Sequence, residues 1–84
     1  MNILIKELRE AIENSSIKFD EFYSCGNLLT VSKILPNETV IFRIKVENGL
    51  FFVTKCWCTP TLINSIETTD IFVSVQKVLN FLDK

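Results

Sequence analysis

The sequence predicts an α+β domain in which an antiparallel sheet carries helices on one of its faces. The stretch 39–58 has two apolar arms joined by Asn48-Gly49, the strongest short-range signal for a β-hairpin. Towards either end of the chain, residues 2–14 and 71–82 place apolar side chains at helical spacing. A hairpin-based sheet flanked by amphipathic helices is typical of a two-layer α+β arrangement.

Length and composition indicate one domain with an excess of apolar surface. The chain of 84 residues has room for one hydrophobic core, so we expect a single domain over residues 1–84. Hydrophobic residues make up 48%, more than a core of this size can enclose, and part of that surface must therefore face outward, where partners bind. The net charge of −1 argues against strong non-specific binding to nucleic acid.

The start of the chain and its cysteines bear on the compartment. Charged residues begin at Lys6 and Glu7, so no apolar run has the length of a signal peptide or a membrane span. An odd number of cysteines, 3, without a secretory signal suggests thiols rather than disulfides. We therefore expect a cytoplasmic protein that has no contact with a membrane.

Residues 2–14 are predicted to form the first helix. Leu4, Leu8 and Ile12 recur every four residues and form one apolar stripe with Ala11. Asn2 can cap the start of the helix, since an Asn side chain accepts hydrogen bonds from the first backbone N–H groups. The stretch 14–16, Asn-Ser-Ser, competes for backbone hydrogen bonds and is expected to end it.

Four strands are predicted to follow as an antiparallel meander. They cover residues 17–24, 28–35, 39–47 and 50–58. The turns between them contain Gly26, which can adopt positive φ, then Pro36-Asn37, then Asn48-Gly49. Charged residues in the first strand are typical of a sheet edge.

A two-residue type I′ turn at Asn48-Gly49 fixes which side chains share a face. One face is then apolar and is expected to meet the helices: Leu29, Val31, Val40, Phe42, Ile44, Val46, Phe51, Val53 and Trp57. Lys33 and Lys55 fall on the same face and would have to extend past the helices to water. A bulge at Gly49 would slip the second arm by one residue and turn Phe52 inward and Trp57 outward.

The last quarter of the chain is predicted to be helical. Thr59-Pro60 can begin a short helical turn carrying Leu62, Ile63 and Ile66. Asp70 is then expected to be the N-cap of a final helix from Ile71 to about Leu82, although the β-branched residues at 71, 73 and 75 leave a strand as the alternative there. The resulting order is α-β-β-β-β-α.

The residue types exclude most familiar chemistry. The chain contains no histidine, the commonest general base and a common zinc ligand, and it has no Gly-rich phosphate loop. Cys56 and Cys58 share one side of a strand and Cys25 could add a third ligand, but a zinc site normally needs four. We expect no catalytic, cofactor or metal site and treat the cysteines as small apolar side chains, with a metal site shared across a dimer as the alternative.

The sheet face away from the helices is the predicted partner surface. Its residues, together with the tryptophan that the alternative register would turn outward, are Ile41, Arg43, Lys45, Phe52, Thr54, Cys56 and Trp57. Apolar and aromatic side chains bordered by Arg and Lys are the anatomy of a protein interface. Arg43, Lys45 and Phe52 could also stack single-stranded bases, and the fourth strand could accept a strand from a second copy or a target.

These features predict a non-enzymatic protein-binding domain, either monomeric or a homodimer, that acts by steric occlusion. In size, α+β build, residue usage and lack of catalytic residues, the chain resembles the small inhibitors that phages and mobile elements encode against host defence, such as anti-CRISPR proteins. That resemblance is one of general profile and implies no residue roles. The alternatives are a nucleic-acid-binding regulator and a subunit or assembly factor that completes another protein's sheet.

Overall fold

The computed structural model describes residues 2–59 and 66–83 of the chain. Within these two ranges it forms two helices and one sheet of five antiparallel strands. In chain order the elements are α1 (Ile3–Glu13), β1 (Glu21–Cys25), β2 (Leu28–Ile34), β3 (Thr39–Glu47), β4 (Leu50–Cys58), β5 (Ile66–Phe72) and α2 (Val75–Leu82). The strands lie side by side in sequence order, β1 to β5. The α+β class is confirmed, and the expectation of four strands is wrong by one.

Helix α1 begins where its sequence signal predicts. The Asn2 side chain accepts hydrogen bonds from the backbone N–H groups of Leu4 (2.8 Å) and Ile5 (3.4 Å), so it satisfies two of the donors that a helix start leaves unpaired. The helix ends at Glu13, and the Ser15 hydroxyl donates to the carbonyl of Ile12 at 2.7 Å.

The hairpin between β3 and β4 has the predicted type I′ register. Asn48 and Gly49 both have positive φ, 52° and 74°, as this turn requires. Val46 therefore lies opposite Phe51, and Val40 lies opposite Trp57. The bounds of β3 and β4 also match the predicted ones, so the alternative with a bulge at Gly49 is wrong.

The predicted core face is buried under the helices. All its members are enclosed except Trp57, which is half-buried. They pack in one cluster with Ile5, Leu8 and Ile12 of α1 and with Val78 and Leu82 of α2. Both helices therefore lie on the same side of the sheet, and burial of this shared apolar surface is the main stabilising contribution.

The first strand is shorter than predicted. It begins at Glu21 rather than residue 17, because the preceding segment turns Phe19 into the core. The Phe19 ring meets the edges of Phe22 and Phe42, each at a centroid distance of 6.0 Å. Asp20 then ties the segment to β2 by accepting a hydrogen bond from the backbone N–H of Ile34 at 2.6 Å.

The fifth strand replaces the start of the predicted final helix. Residues 66–72 pair with Phe51 to Trp57 on the outer side of β4, and Phe72 lies opposite Phe51. Asp70 is consequently a strand residue and not an N-cap, and Ile66 belongs to β5 rather than to a helical turn. The rest of that predicted turn, Pro60 to Ile63, lies outside the described residues.

Helix α2 starts four residues later than predicted. Its N-cap is Ser74, whose hydroxyl accepts a hydrogen bond from the backbone N–H of Lys77 at 3.3 Å. With 11 residues in α1 and 8 in α2, no helix in the described ranges is long and apolar enough to cross a membrane.

Candidate functional site

The side of the sheet away from α1 and α2, here called the open face, presents side chains from each strand in cross-strand rows. The row nearest the Asn48-Gly49 turn contains Cys25, Leu28, Lys45, Phe52 and Ile71. The next row contains Tyr23, Thr30, Arg43, Thr54 and Thr69. The third contains Glu21, Ser32, Ile41, Cys56 and Glu67.

The predicted site residues fall into these rows with one exception. Ile41, Arg43, Lys45, Phe52, Thr54 and Cys56 all lie on the open face, as the type I′ register requires. Trp57 lies on the opposite face, in the row of Val40, because the hairpin did not slip. The structure therefore brings six of the seven residues together and separates Trp57 from them.

Arg43 occupies the middle of the open face with an exposed side chain. It lies on the central strand β3 between two threonines, Thr30 of β2 and Thr54 of β4. No described residue forms an ion pair with Arg43, whereas its neighbour Lys45 pairs with Glu47 at 3.0 Å. A guanidinium flanked by short side chains can approach a flat partner surface closely and bind a carboxylate through two hydrogen bonds.

Apolar side chains lie around Arg43 towards the hairpin turn. Phe52 is half-buried between Lys45 on β3 and Ile71 on β5. Ile71 is 59% exposed, and Tyr23 on β1 is 63% exposed. Sequence reasoning missed both residues. The sequence pattern predicts a helix at Ile71, and it predicts a strand at Tyr23 without determining which face that side chain occupies. A strand assignment for residues 66–72 would have placed Ile71 opposite Phe52.

The far end of the open face offers less contact surface. Cys56 is only 3% exposed, and its thiol donates a hydrogen bond to Glu67 Oε1 at 3.4 Å. Together with Glu21, Glu67 makes both flanks of this row acidic. The candidate site is therefore centred on Arg43 and the two rows closer to the hairpin turn, and Cys56, although it is on the same face, is too buried to contact a partner.

The cysteines do not converge. Cys56 and Cys58 share one side of β4, as predicted, but Cys25 lies on the edge strand β1, three strand spacings away, which is about 14 Å. Within residues 2–59 and 66–83, no three Cys, Asp or Glu side chains are grouped so that they could hold a metal ion.

Comparisons of the chain with protein-family models, with curated proteins and with solved structures find no match.

Proposed function

We propose that this protein is a non-enzymatic binding domain whose open face docks on another protein and blocks part of that protein's surface. The observation that carries the proposal is the exposed guanidinium of Arg43, which has no ion-pair partner among the described residues, on the same face as the side chains of Phe52, Tyr23 and Ile71. Arginine and aromatic residues contribute most of the binding energy at protein interfaces. The complementary surface would carry a carboxylate opposite Arg43 and apolar groups opposite Phe52.

The dimensions of the open face suit this role. The strands have five to nine residues and extend about 24 Å on average, and four strand spacings span about 19 Å, so the face covers on the order of 450 Å² before side-chain relief is counted. A typical stable interface buries about 800 Å² on each partner. A target that covers this sheet face would thus lose access to a comparable area of its own surface, which is how steric occlusion works.

The expected setting is inhibition of a host defence system in the cytoplasm, which rests on the general profile of the chain. A sheet face centred on an arginine supports a partner whose surface carries an acidic and apolar patch.

The test is a capture experiment in which charge and shape are changed separately. Tagged wild-type protein, Arg43→Glu, Phe52→Ala and Lys77→Glu are used to capture proteins from a host lysate, followed by mass spectrometry. Lys77 is the matched control because it is exposed on α2, on the other side of the sheet. We expect at least one partner to be retained by wild type and Lys77→Glu and lost by both open-face variants. Retention of every partner by Arg43→Glu and Phe52→Ala would refute the site.

Two other roles for the same sheet remain as alternatives. Tyr23 and Phe52 near Arg43 could stack single-stranded bases, although Glu21 and Glu67 on the same face oppose a polyanion. Binding to a single-stranded oligonucleotide that falls steeply between 50 and 200 mM salt would favour that role.

The fourth strand cannot be a free edge because β5 covers it, so a sheet-completing or homodimeric role would use β1 or β5. The mass of the protein in solution, with and without its partner, separates these roles from a monomeric blocker.

A further inference from the structure

A cleft lies on the helix side of the sheet, near the turn between β2 and β3, and is separate from the open face. Its volume is about 220 Å³. The residues that line it come from β2, β3 and β4, from the segment before β1, from the turn between β2 and β3, and from the last residue of α2; they include Phe19, Lys33, Glu38, Phe42, Lys55 and Trp57. Leu82, the last residue of α2, lines the cleft on the helix side.

Two lysines hold their ammonium groups against the aromatic rings of the cleft. Lys55 Nζ is 4.5 Å from the centroid of the Trp57 ring and 5.5 Å from that of Phe42. Lys33 Nζ is 5.9 Å from the Phe19 ring. These distances are typical of cation–π contacts, which orient an ammonium group without neutralising it.

The cleft is positively charged. Neither Lys33 nor Lys55 forms an ion pair with a residue in the described part of the chain. Among the described residues that line the cleft the acidic one is Glu38, so two lysines and one glutamate give them a summed formal charge of +1. Both lysines are half-buried, and an ammonium group in such a site attracts an anion more strongly than it would in bulk water, because the surroundings screen less.

The positions of the lysines in the sheet are unusual for a purely structural role. Val40 lies opposite Lys33 on one side and Trp57 on the other, and Lys55 lies opposite Phe42 in the neighbouring row. Both lysines thus interrupt the otherwise apolar face that meets the helices. Half-burying an ammonium group that has no ion-pair partner in the described part of the chain is unfavourable. An apolar residue at either position would therefore stabilise the packed face more.

We propose that this cleft binds a small anionic molecule, namely a single ring that carries a carboxylate or phosphate group. The anion would lie between Lys33 and Lys55, and the ring would pack against Trp57 and Phe42. The volume supports one ring: an apolar cavity of about 150 Å³ accepts benzene, and drug-sized ligands occupy about 300–1,000 Å³. The cleft, at about 220 Å³, accommodates a ring and one acidic group.

The test uses the intrinsic fluorescence of Trp57, which is the single tryptophan of the sequence and lines the cleft. The protein is titrated with benzoate and, separately, with phenyl phosphate; benzamide is the uncharged control and acetate the control without a ring. We expect saturable quenching by benzoate or phenyl phosphate, with the stronger of the two identifying the preferred acid, and at least about tenfold weaker binding of benzamide and acetate.

Substitutions then assign the binding to the two lysines. Lys33→Met and Lys55→Met should each weaken the preferred probe about tenfold, because each removes a charge-assisted hydrogen bond. Lys6→Met, at an exposed position of α1 that is not among the residues lining the cleft, is the matched control and should leave the affinity unchanged. Glu38→Gln should tighten binding, since it removes the one negative charge of the lining. If the lysine variants fold poorly, the affinity of Glu38→Gln for the preferred probe still tests the proposal.

Several results would overturn the proposal. They are the absence of saturable quenching by both anions, equal binding of benzoate and benzamide, an equal loss in Lys6→Met, or weaker binding in Glu38→Gln. None of these results bears on partner capture by the open face, because Arg43 and Phe52 lie on the other side of the sheet.

Discussion

Phe52 and Val53 are adjacent on β4 but point to opposite faces of the sheet, so truncating each to alanine separates the two roles assigned to those faces. Phe52 lies on the open face between Lys45 and Ile71. Val53 lies under the helices and is completely buried. The variants to compare are Phe52→Ala and Val53→Ala, with Val73→Ala as the matched control for Val53, because Val73 is 63% exposed.

The expected magnitudes follow from burial and neighbours. Val53→Ala removes the equivalent of two methylene groups from the core, about 1.6 kcal/mol of transfer free energy, and the cavity left behind raises the loss to about 2–3 kcal/mol. Phe52→Ala removes cross-strand contacts worth about 0.2–1 kcal/mol each, so we expect a loss of about 1 kcal/mol. Val73→Ala should change the free energy of unfolding by less than about 0.5 kcal/mol.

Urea unfolding followed by circular dichroism measures these differences. With a slope of about 1 kcal/mol per molar urea for a small domain, Val53→Ala should lower the midpoint by about 2–3 M and Phe52→Ala by about 1 M. The effect on binding to a captured partner should be the reverse of the effect on stability. Phe52→Ala should lose binding, and Val53→Ala should retain it at urea concentrations below its unfolding transition. If Phe52→Ala destabilised the protein as much as Val53→Ala, β4 would be slipped by one residue and the assignment of both faces would fail.

Three further substitutions test local features of the fold by the same measurement. Gly49→Ala should cost about 1–2 kcal/mol, entirely from positive φ, because a Cβ there would meet nothing within 4 Å; an unchanged midpoint would contradict the type I′ turn. Ser74→Ala should cost about 1 kcal/mol by removing the cap of α2, and Asp70→Ala less than about 0.5 kcal/mol; the opposite order would restore Asp70 as the cap. Glu13→Gln breaks an exposed ion pair with Arg9 and should cost less than about 0.5 kcal/mol, with 1 M salt reducing even that; a loss above about 1 kcal/mol would mean that the pair orders the helix end.

The parts of the fold that could be predicted from sequence are those determined by neighbouring residues. Asn48-Gly49 specifies a turn with two positive φ values, and alternation in the arms then places Val46 opposite Phe51 without knowledge of the rest of the chain. The cap at Asn2 is equally local. These features allowed the open and core faces of the central strands to be assigned correctly.

The missed strand depended on contacts that are distant along the chain. Residues 66–72 contain an apparent N-cap at Asp70 and apolar spacing that also suits a helix. What decides their structure is β4, whose outer side needs a hydrogen-bonding partner and whose Phe51 packs opposite Phe72. The same error removed Ile71 from the predicted site. The cleft could not be predicted either, because residues as distant along the chain as Phe19 and Leu82 line it at one corner of the sheet.

The alternation of the two faces along β3 and β4 has a consequence for the kinds of mutation this protein can tolerate. A substitution on the open face, for example at Arg43, changes a potential contact and leaves the buried residues on either side, Phe42 and Ile44, where they were. A single-residue insertion or deletion inside either strand would exchange the faces of every residue beyond it. The binding surface can therefore change by amino-acid substitution without loss of the fold. Insertions and deletions are compatible with the fold only in the turns.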